Sequence, residues 1–202
     1  SAPVSHTVAV DRSVSVTPGT LPTHTSSATA PLSFTTDSDV VSVSCSADGG
    51  PFTPCSSGWS YVTAATPDGT YGYVVKVTDD VGNTATSAPV SVTVDRTLPA
   101  LAFTDGPAEG QELATRSASL TFSRTEAHPA ALDCALDGAA VACTPGTAVA
   151  LQNLSDGAHA FSVHAVDGAG NARTITRSFA VKLPGTGPGT GPFHRLFNQG
   201  MI

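Results

Sequence analysis

The sequence predicts an all-β protein of two tandem antiparallel β-sandwiches, on the evidence of its composition, its alternating strands and an internal duplication. Of its 202 residues, 40% are hydrophobic and 12% are charged, which is too apolar for a disordered chain. Ser, Thr, Val and Ala are abundant, whereas Lys, Glu, Met and Gln are scarce. Because the scarce residues are good helix formers, the composition favours strands over helices.

The duplication is visible as two landmarks that recur in one register. Residues 45–55 read CSADGGPFTPC and residues 134–143 read CALDGAAVAC, with starting points 89 positions apart. DGTYGYVVKVTDDVGN begins at Asp68 and DGAHAFSVHAVDGAGN begins at Asp156, 88 positions later. The spacing from the second cysteine to the DG pair is 13 positions in both copies. The chain therefore contains two copies of one structural module.

Within each copy, apolar and polar residues alternate as a half-buried strand requires. The residues of one face are Tyr71, Tyr73, Val75 and Val77 in the first copy and His159, Phe161, Val163 and Ala165 in the second. Asp-Gly and Gly-Asn pairs, which favour turns, separate these strands at short intervals. About seven short strands in each copy are typical of a sandwich with Greek-key connections.

Tyr71 stands three residues after Asp68 at the start of a strand, which is the position of a tyrosine corner. His159 holds that position in the second copy and is weaker support. The combination CSADGG…C, DGTY and DDVGN, with its second version CALDG…C, DGAHAF and DGAGN, resembles the immunoglobulin-like repeats found in tandem in bacterial surface and secreted proteins. The resemblance covers residues 13–182 and implies extracellular stalks, adhesion modules or accessory domains of secreted enzymes.

Two immunoglobulin-like domains are expected, at 14–95 and 96–182, preceded by an N-terminal arm at 1–13. The arm copies the final strand of the first domain, because SAPVS occurs at positions 1 and 87. Three explanations remain open: a longer array from which the chain is cut, pairing of the arm with the open edge of a neighbouring subunit, or a plain extension. If the arm pairs, the expected contacts are Val4, Val8 and Val10.

After the second domain, LPGTGPGTGP at 183–192 is predicted to be an extended linker. The tail at 193–202 is too apolar for a solvent-exposed segment without contacts. We expect that it either docks on a partner or packs on its own domain. The residues expected to make these contacts are Phe193, Leu196, Phe197, Met201 and Ile202. LPGTG also resembles a sortase sorting signal, but no apolar stretch and basic tail follow it, so linker repetition is the better interpretation.

The four cysteines form two close pairs, one in each copy, which is typical of a disulfide framework in an oxidising compartment. We expect the bonds Cys45–Cys55 and Cys134–Cys143, and an extracellular or cell-surface location. Zinc is not expected, since no CxxC pair is present. The net charge of −7 has the wrong sign for nucleic acid, and no stretch of about 18 apolar residues could span a bilayer.

No catalytic signature is present: the sequence lacks HExxH, a phosphate-binding loop and a GxSxG elbow. No catalytic residue and no cofactor are therefore expected, with calcium as the one alternative. If the two domains stack end to end, carboxylates meet at the junction and offer calcium hard oxygen ligands. These carboxylates are Asp68, Asp95, Asp167 and Glu126. The alternative interpretation is that these aspartates are solvated turn caps.

Three classes of function remain. The first is a structural or adhesive surface protein, which is either a stalk or a fibre subunit. It would associate with itself or with neighbouring repeats. If it forms a fibre, its termini would donate strands to neighbouring subunits. The second is a carbohydrate- or protein-binding accessory module of a secreted enzyme. Trp59 and Tyr61 would bind there if exposed, or would fill the core where the other copy has Thr147 and Val149. The third, an enzyme, has no motif in its favour.

Asn153-Leu154-Ser155 fits the N-glycosylation pattern.

Overall fold

A computed structural model of the protein describes residues 11–184. The chain divides into two compact units, residues 1–97 (unit 1) and residues 98–202 (unit 2). The regular structure of the described residues consists of β-strands, so the predicted all-β class is confirmed. Within 11–184, no helix has the length and apolar character needed to cross a membrane.

Unit 1 contains eight strands among its described residues. The main sheet has the order β2-β8-β6-β4-β5, and β7 also pairs with β6. The opposing layer consists of the β1–β3 pair, and an isolated bridge joins Leu32 to Trp59. The strands are β1 Val16–Pro18, β2 His24–Thr25, β3 Phe34–Thr36, β4 Val40–Ala47, β5 Thr53–Pro54, β6 Gly69–Asp79, β7 Thr84–Thr86 and β8 Val90–Val94.

The core of unit 1 forms because alternate residues of the long strand β6 point inward. Tyr73, Val75 and Val77 are fully buried, whereas Lys76, between Val75 and Val77, is exposed. This is the alternation that the sequence predicts for a strand with one wet face. The inward residues pack on side chains of both layers: Ala30, Leu32, Cys45, Val62, Val92 and Val94.

Unit 2 repeats this plan with longer strands. One sheet has the order β10-β16-β15-β12-β13 and the other has the order β14-β11-β9. The buried core includes Leu120, Phe122, Phe161, Val163 and Phe179. The strands are β9 Ala100–Asp105, β10 Gln111–Leu113, β11 Ala118–Thr125, β12 Pro129–Leu136, β13 Ala139–Val141, β14 Val149–Leu151, β15 Gly157–Asp167 and β16 Ala172–Val181.

One parallel pairing occurs within the described part of each unit, and it joins an early strand to the last strand. In unit 1, β2 pairs with β8, with His24 opposite Thr93 and Thr25 opposite Val94. In unit 2, β10 pairs with β16. The other strand pairs of residues 11–184 are antiparallel. The two copies therefore share topology as well as sequence landmarks.

Each unit contains one disulfide across the hairpin that follows its first cysteine. Cys45 bonds Cys55 with 5.7 Å between the Cα atoms, and Cys134 bonds Cys143 with 6.1 Å between them. These are the pairings that the sequence predicts, and no free cysteine remains. Because each bond closes a loop of about ten residues, it restricts the unfolded chain and stabilises its unit by roughly 2.5–3 kcal/mol.

The core position of Phe161 gives a first test. Its side chain is fully buried in unit 2, so Phe161→Ala should lower the free energy of unfolding of that unit by about 3–5 kcal/mol. Urea unfolding followed through the NMR amide signals of β15 measures the loss. Leu98→Ala, at a residue that is 52% exposed, is the control and should change stability by about 0.5 kcal/mol or less. Equal effects of the two substitutions would contradict the assigned core.

Candidate functional site

The hairpin inside each disulfide loop is fixed to the long strand by an aspartate, a feature we call the aspartate latch. In unit 1, the Asp48 N–H donates to the Gly72 carbonyl over 2.9 Å, and Asp48 Oδ1 accepts from the Gly72 N–H over 2.8 Å. In unit 2, Asp137 makes the same two bonds with Ala160, at 2.9 and 2.8 Å. Both aspartates have left-handed backbones, with φ of 50° and 51°, which Asp tolerates better than most residues. The aspartate latch is therefore a duplicated turn feature.

The corner at the start of the long strand also recurs, with a different side chain in each unit. In unit 1, the Tyr71 hydroxyl donates to the Pro67 carbonyl, four residues back, over 2.8 Å. In unit 2, His159 Nε2 lies 2.9 Å from the Ser155 carbonyl oxygen, again four residues back. A histidine at this position is weak sequence evidence for a tyrosine corner. In the structure, however, its ring contacts the same backbone carbonyl as the tyrosine of such a corner does.

His159 has a second partner that Tyr71 lacks. Its Nδ1 lies 2.7 Å from Asp137 Oδ2, and its side chain is 5% exposed. The Ser155 carbonyl, followed by Asp137, raises the pKa of His159 above its ordinary value of 6.5, against the opposing effect of burial. Burial acts to raise the pKa of Asp137, but hydrogen bonds from His159 and the Ala160 N–H lower it. The pair therefore favours its charged form.

This pair is an Asp–His arrangement of the kind that catalytic sites use, but its geometry is different from that of a general base. A general base needs one ring nitrogen free to receive a proton from a nucleophile. Both nitrogens of His159 face oxygen acceptors, the carboxylate of Asp137 and the carbonyl of Ser155. The ring therefore holds the corner together and is not arranged for proton transfer.

The DDVGN and DGAGN turns are each organised by their first aspartate. Asp79 Oδ1 accepts from the Val81 and Asn83 N–H groups, and its Oδ2 accepts from Asn83 Nδ2 over 2.7 Å. Burial acts to raise the pKa of Asp79, but the hydrogen bonds from the Asn83 side chain and backbone lower it. Asp167 makes the equivalent bonds with the N–H groups of residues 169 and 171 and with Asn171 Nδ2. These aspartates are turn caps within their own units.

The other predicted calcium ligands also have hydrogen-bond partners within their own units. Asp68 Oδ2 accepts from the Arg96 N–H over 3.0 Å and from Thr97 Oγ1 over 2.9 Å, and the Arg96 N–H is the main cause that lowers the pKa of Asp68. Asp95 Oδ1 accepts from the Thr97 N–H over 3.0 Å. Glu126 Oε1 accepts from the N–H of residue 128 over 2.9 Å. The calcium site between the domains stays a prediction.

A further acidic cluster lies within unit 1 and was not predicted from the sequence. Asp11, Asp39 and Asp79 each place a carboxylate oxygen within 4.8 Å of the others. A hydrogen bond between the Asp11 and Asp39 side chains raises the pKa of Asp39. Such oxygens are the ligands that calcium accepts, but acidic groups also cluster without an ion, so the cluster alone does not establish a metal site. The three aspartates lie far apart in sequence, and no local motif links them.

Arg96 fixes the segment that follows β8 to unit 1, an arrangement we call the arginine clamp. Its Nη1 donates to the Thr66 carbonyl over 2.6 Å. Its Nη2 donates to the carbonyls of Ser27 and Thr63, over 3.0 and 3.1 Å. Its guanidinium also lies 3.8 Å from Asp68 Oδ1. Arg96 was not predicted from the sequence, because its partners lie in loops distant along the chain.

Trp59 and Tyr61 have different environments. Trp59 is half-buried and its ring meets Tyr73 edge-on, with 5.7 Å between the ring centroids. Tyr61 is 45% exposed and contacts Tyr71 at 5.8 Å. Together with Cys45 and neighbouring residues, Trp59 and Tyr61 line a groove of about 350 Å³. Trp59 therefore fills the core in part, whereas Tyr61 is exposed, as a ligand-binding side chain would have to be.

Asn153 of the glycosylation pattern is exposed and has a left-handed backbone with φ of 57°.

The residues predicted to contact other subunits lie outside the described range of 11–184, so their contacts stay predictions. They are Val4, Val8, Val10, Phe193, Leu196, Phe197, Met201 and Ile202.

Residues 19–96 match the family model of the bacterial Ig-like domain. No curated protein matches the chain. Similar solved structures include the Clostridium thermocellum CbhA fibronectin(III)-like modules, with 16% identity over 85% of this chain and 95% of that chain and a TM-score of 0.45. Sidekick-1 immunoglobulin domains 1–5 show 14% identity over 84% of this chain and 39% of that chain, with a TM-score of 0.49. Extracellular domains 3–5 of Drosophila OTK show 12% identity over 82% and 59%, with a TM-score of 0.39.

The arginine clamp gives a second test. Arg96→Ala leaves three backbone carbonyls without their guanidinium donor, so unit 1 should lose about 1–3 kcal/mol of unfolding free energy. The fluorescence of Trp59, the single tryptophan of the chain, reports the urea unfolding of unit 1. The control is Lys76→Ala on the exposed face of β6, with an expected change of about 0.5 kcal/mol or less. A loss no larger than that of the control would show that the arginine clamp contributes nothing.

Proposed function

Because unit 1 matches a bacterial Ig-like domain, we propose that the chain is a non-enzymatic extracellular structural protein, a load-bearing segment of a stalk or fibre. Its modules would hold a partner at a distance from a surface and transmit tension between their ends. The fold is commonly found in extracellular structural or adhesive modules. Two disulfides support an oxidising location. The observation that carries the mechanical part is the parallel pairing of an early strand with the last strand.

In unit 1, two backbone hydrogen bonds join β8 and its end to the segment around the short β2, one on each side of His24. The Thr93 N–H donates to the Thr23 carbonyl over 2.9 Å, and the Asp95 N–H donates to the Thr25 carbonyl over 3.0 Å. Tension that enters near β2 and leaves after β8 pulls two parallel strands past each other. The hydrogen bonds between them then resist together, whereas the bonds of a hairpin pulled at its open end break one after another.

Unit 2 repeats the arrangement with a longer pair. Gln111 lies opposite Phe179 and Leu113 lies opposite Val181. The Gly110 N–H donates to the Ser178 carbonyl and the Lys182 N–H donates to the Leu113 carbonyl, both over 2.8 Å. The recurrence of this pairing in both units supports a load-bearing role for each.

The disulfides and the arginine clamp fit this role. Each disulfide keeps the loop between its cysteines out of the chain that tension can extend. Arg96 connects the segment after β8 to three loop carbonyls of unit 1, so force leaving β8 is shared with the loops.

A second candidate function is an accessory binding module for carbohydrate, which the exposed Tyr61 and its groove favour. An aromatic ring of this kind can stack on a sugar face. Titration of Trp59 fluorescence with soluble oligosaccharides tests it, with Tyr61→Ala as the binding-deficient variant. Absence of any saturable change would remove this candidate.

Single-molecule stretching of the full chain tests the mechanical role. Two unfolding events are expected, and reduction should lengthen each by about 30 Å. About ten residues at roughly 3.6 Å each are released, less the 5.7 or 6.1 Å that the disulfide already spans between Cα atoms. Thr93→Pro removes the amide that bonds Thr23 and should lower the unfolding force of unit 1 alone. Cys134→Ser with Cys143→Ser marks unit 2 by its longer extension, so unit 2 serves as the internal control. An unchanged force in Thr93→Pro would contradict the load-bearing pair.

The fibre version has a separate test. If the termini connect subunits, chains lacking residues 1–10 or residues 193–202 should remain folded monomers that no longer assemble. Light scattering and electron microscopy of the full chain and the two shortened chains measure assembly. Assembly that survives both deletions would exclude contacts through the termini and leave the stalk version.

A further inference from the structure

His159 is a buried ring between two groups that can only accept hydrogen bonds. Its Nδ1 lies 2.7 Å from Asp137 Oδ2 and its Nε2 lies 2.9 Å from the Ser155 carbonyl oxygen. A neutral imidazole carries one N–H and can donate to one of these oxygens. The imidazolium carries two and donates to both. The surrounding atoms therefore match the protonated ring.

We propose that His159 is a proton-controlled corner of unit 2. Protonated, the ring connects the β12–β13 hairpin, through Asp137, to the loop before β15, through Ser155. Deprotonated, it keeps one of these connections and loses the other. This property goes beyond the proposed load-bearing role and does not depend on it.

The loss matters because the ring is nearly inaccessible to water. With its side chain 5% exposed, a neutral ring would turn a nitrogen lone pair toward an oxygen acceptor. A buried polar atom without a partner destabilises the folded state. Phe179, which faces the ring at 5.7 Å between centroids, offers no replacement donor.

The charged groups around His159 identify Asp137 as its counter-ion. Asp137 comes from the β12–β13 hairpin, and Asp156, on the loop before β15, is exposed. On β10, β16 and their flanks, Arg177 lies 3.7 Å from Glu109 and Lys182 lies 3.2 Å from Glu112. Arg173 lies toward the other end of β16, opposite Ala165, whereas Phe179 lies opposite His159. Asp137 is thus the charged group that the structure shows within hydrogen-bond distance of the ring.

The direction of the pH dependence follows from the two shifts. The pKa of His159 is raised above its ordinary value of 6.5, so its contribution is complete below that pH and is lost as the pH rises through the folded pKa. The pKa of Asp137 is lowered from its ordinary value of 3.8, so its contribution is present above that pH and is lost as the pH falls through the folded pKa. The His159–Asp137 pair should therefore stabilise unit 2 most in mildly acidic solution.

Unit 1 provides the matched comparison. Its corner is Tyr71, bonded to Pro67, and Asp48 holds the place of Asp137. An imidazole changes charge near neutral pH, and only the corner of unit 2 contains one.

The experiment uses the full chain and two readouts. NMR titration of the imidazole signals should give a pKa above 6.5 for His159, and Asp137→Asn should lower that pKa. Urea midpoints should be measured from pH 5 to pH 9, with Trp59 fluorescence for unit 1 and amide signals of β15 for unit 2. As the pH rises, the folding constant of unit 2 should fall by the ratio of the proton affinities of the folded and unfolded chains.

Exchange of the two corners is the decisive control. His159→Tyr should abolish this fall in unit 2, and Tyr71→His should introduce one in unit 1, where Asp48 is already in place. If His159→Tyr does not fold, His159→Gln removes the titration with a smaller side chain. A His159 pKa at or below 6.5, or a fall that persists unchanged in these variants, would overturn the proposal.

Discussion

The structure of each unit depends on the hydrogen bonds that fix the cysteine hairpin to the long central strand. The hairpin contributes a disulfide to the core, and the long strand contributes its alternating apolar face. The aspartate latch sets the register between them: Asp48 with Gly72 and Asp137 with Ala160. Since a slip of one residue would turn the apolar face of the strand outward, the burial of Tyr73 or Phe161 relies on this register.

The two units show how one backbone plan accommodates different side chains. The aspartate latch, the turn cap and the parallel pair of an early and the last strand recur with nearly identical distances. The corner differs, since a phenol in unit 1 is replaced by an imidazole in unit 2, and the aromatic residues Trp59 and Tyr61 have no counterparts in unit 2. The shared contacts maintain the fold, and the differing ones give each unit its own chemistry.

Much of this fold could be predicted from the sequence because its signals are local. Alternation along β6 and β15 and the two cysteine pairs are each visible within fewer than twenty residues. The arginine clamp and the Asp11 cluster could not be predicted, because they join loops far apart in sequence through backbone carbonyls or single carboxylates. His159 shows a third case: the residue type was weak support for a corner, and only the position of the Ser155 carbonyl reveals that an imidazole makes the same bond.

The short span of the two disulfides bears on how the chain is oxidised. Four thiols allow three pairings, but the two native ones join cysteines only 10 and 9 positions apart. Because short loops close at a lower entropic cost than long ones, native partners meet more often than thiols from different modules do. Each additional module with the same hairpin would multiply the possible pairings, but the native partner of each new cysteine would still lie about ten positions away along the chain.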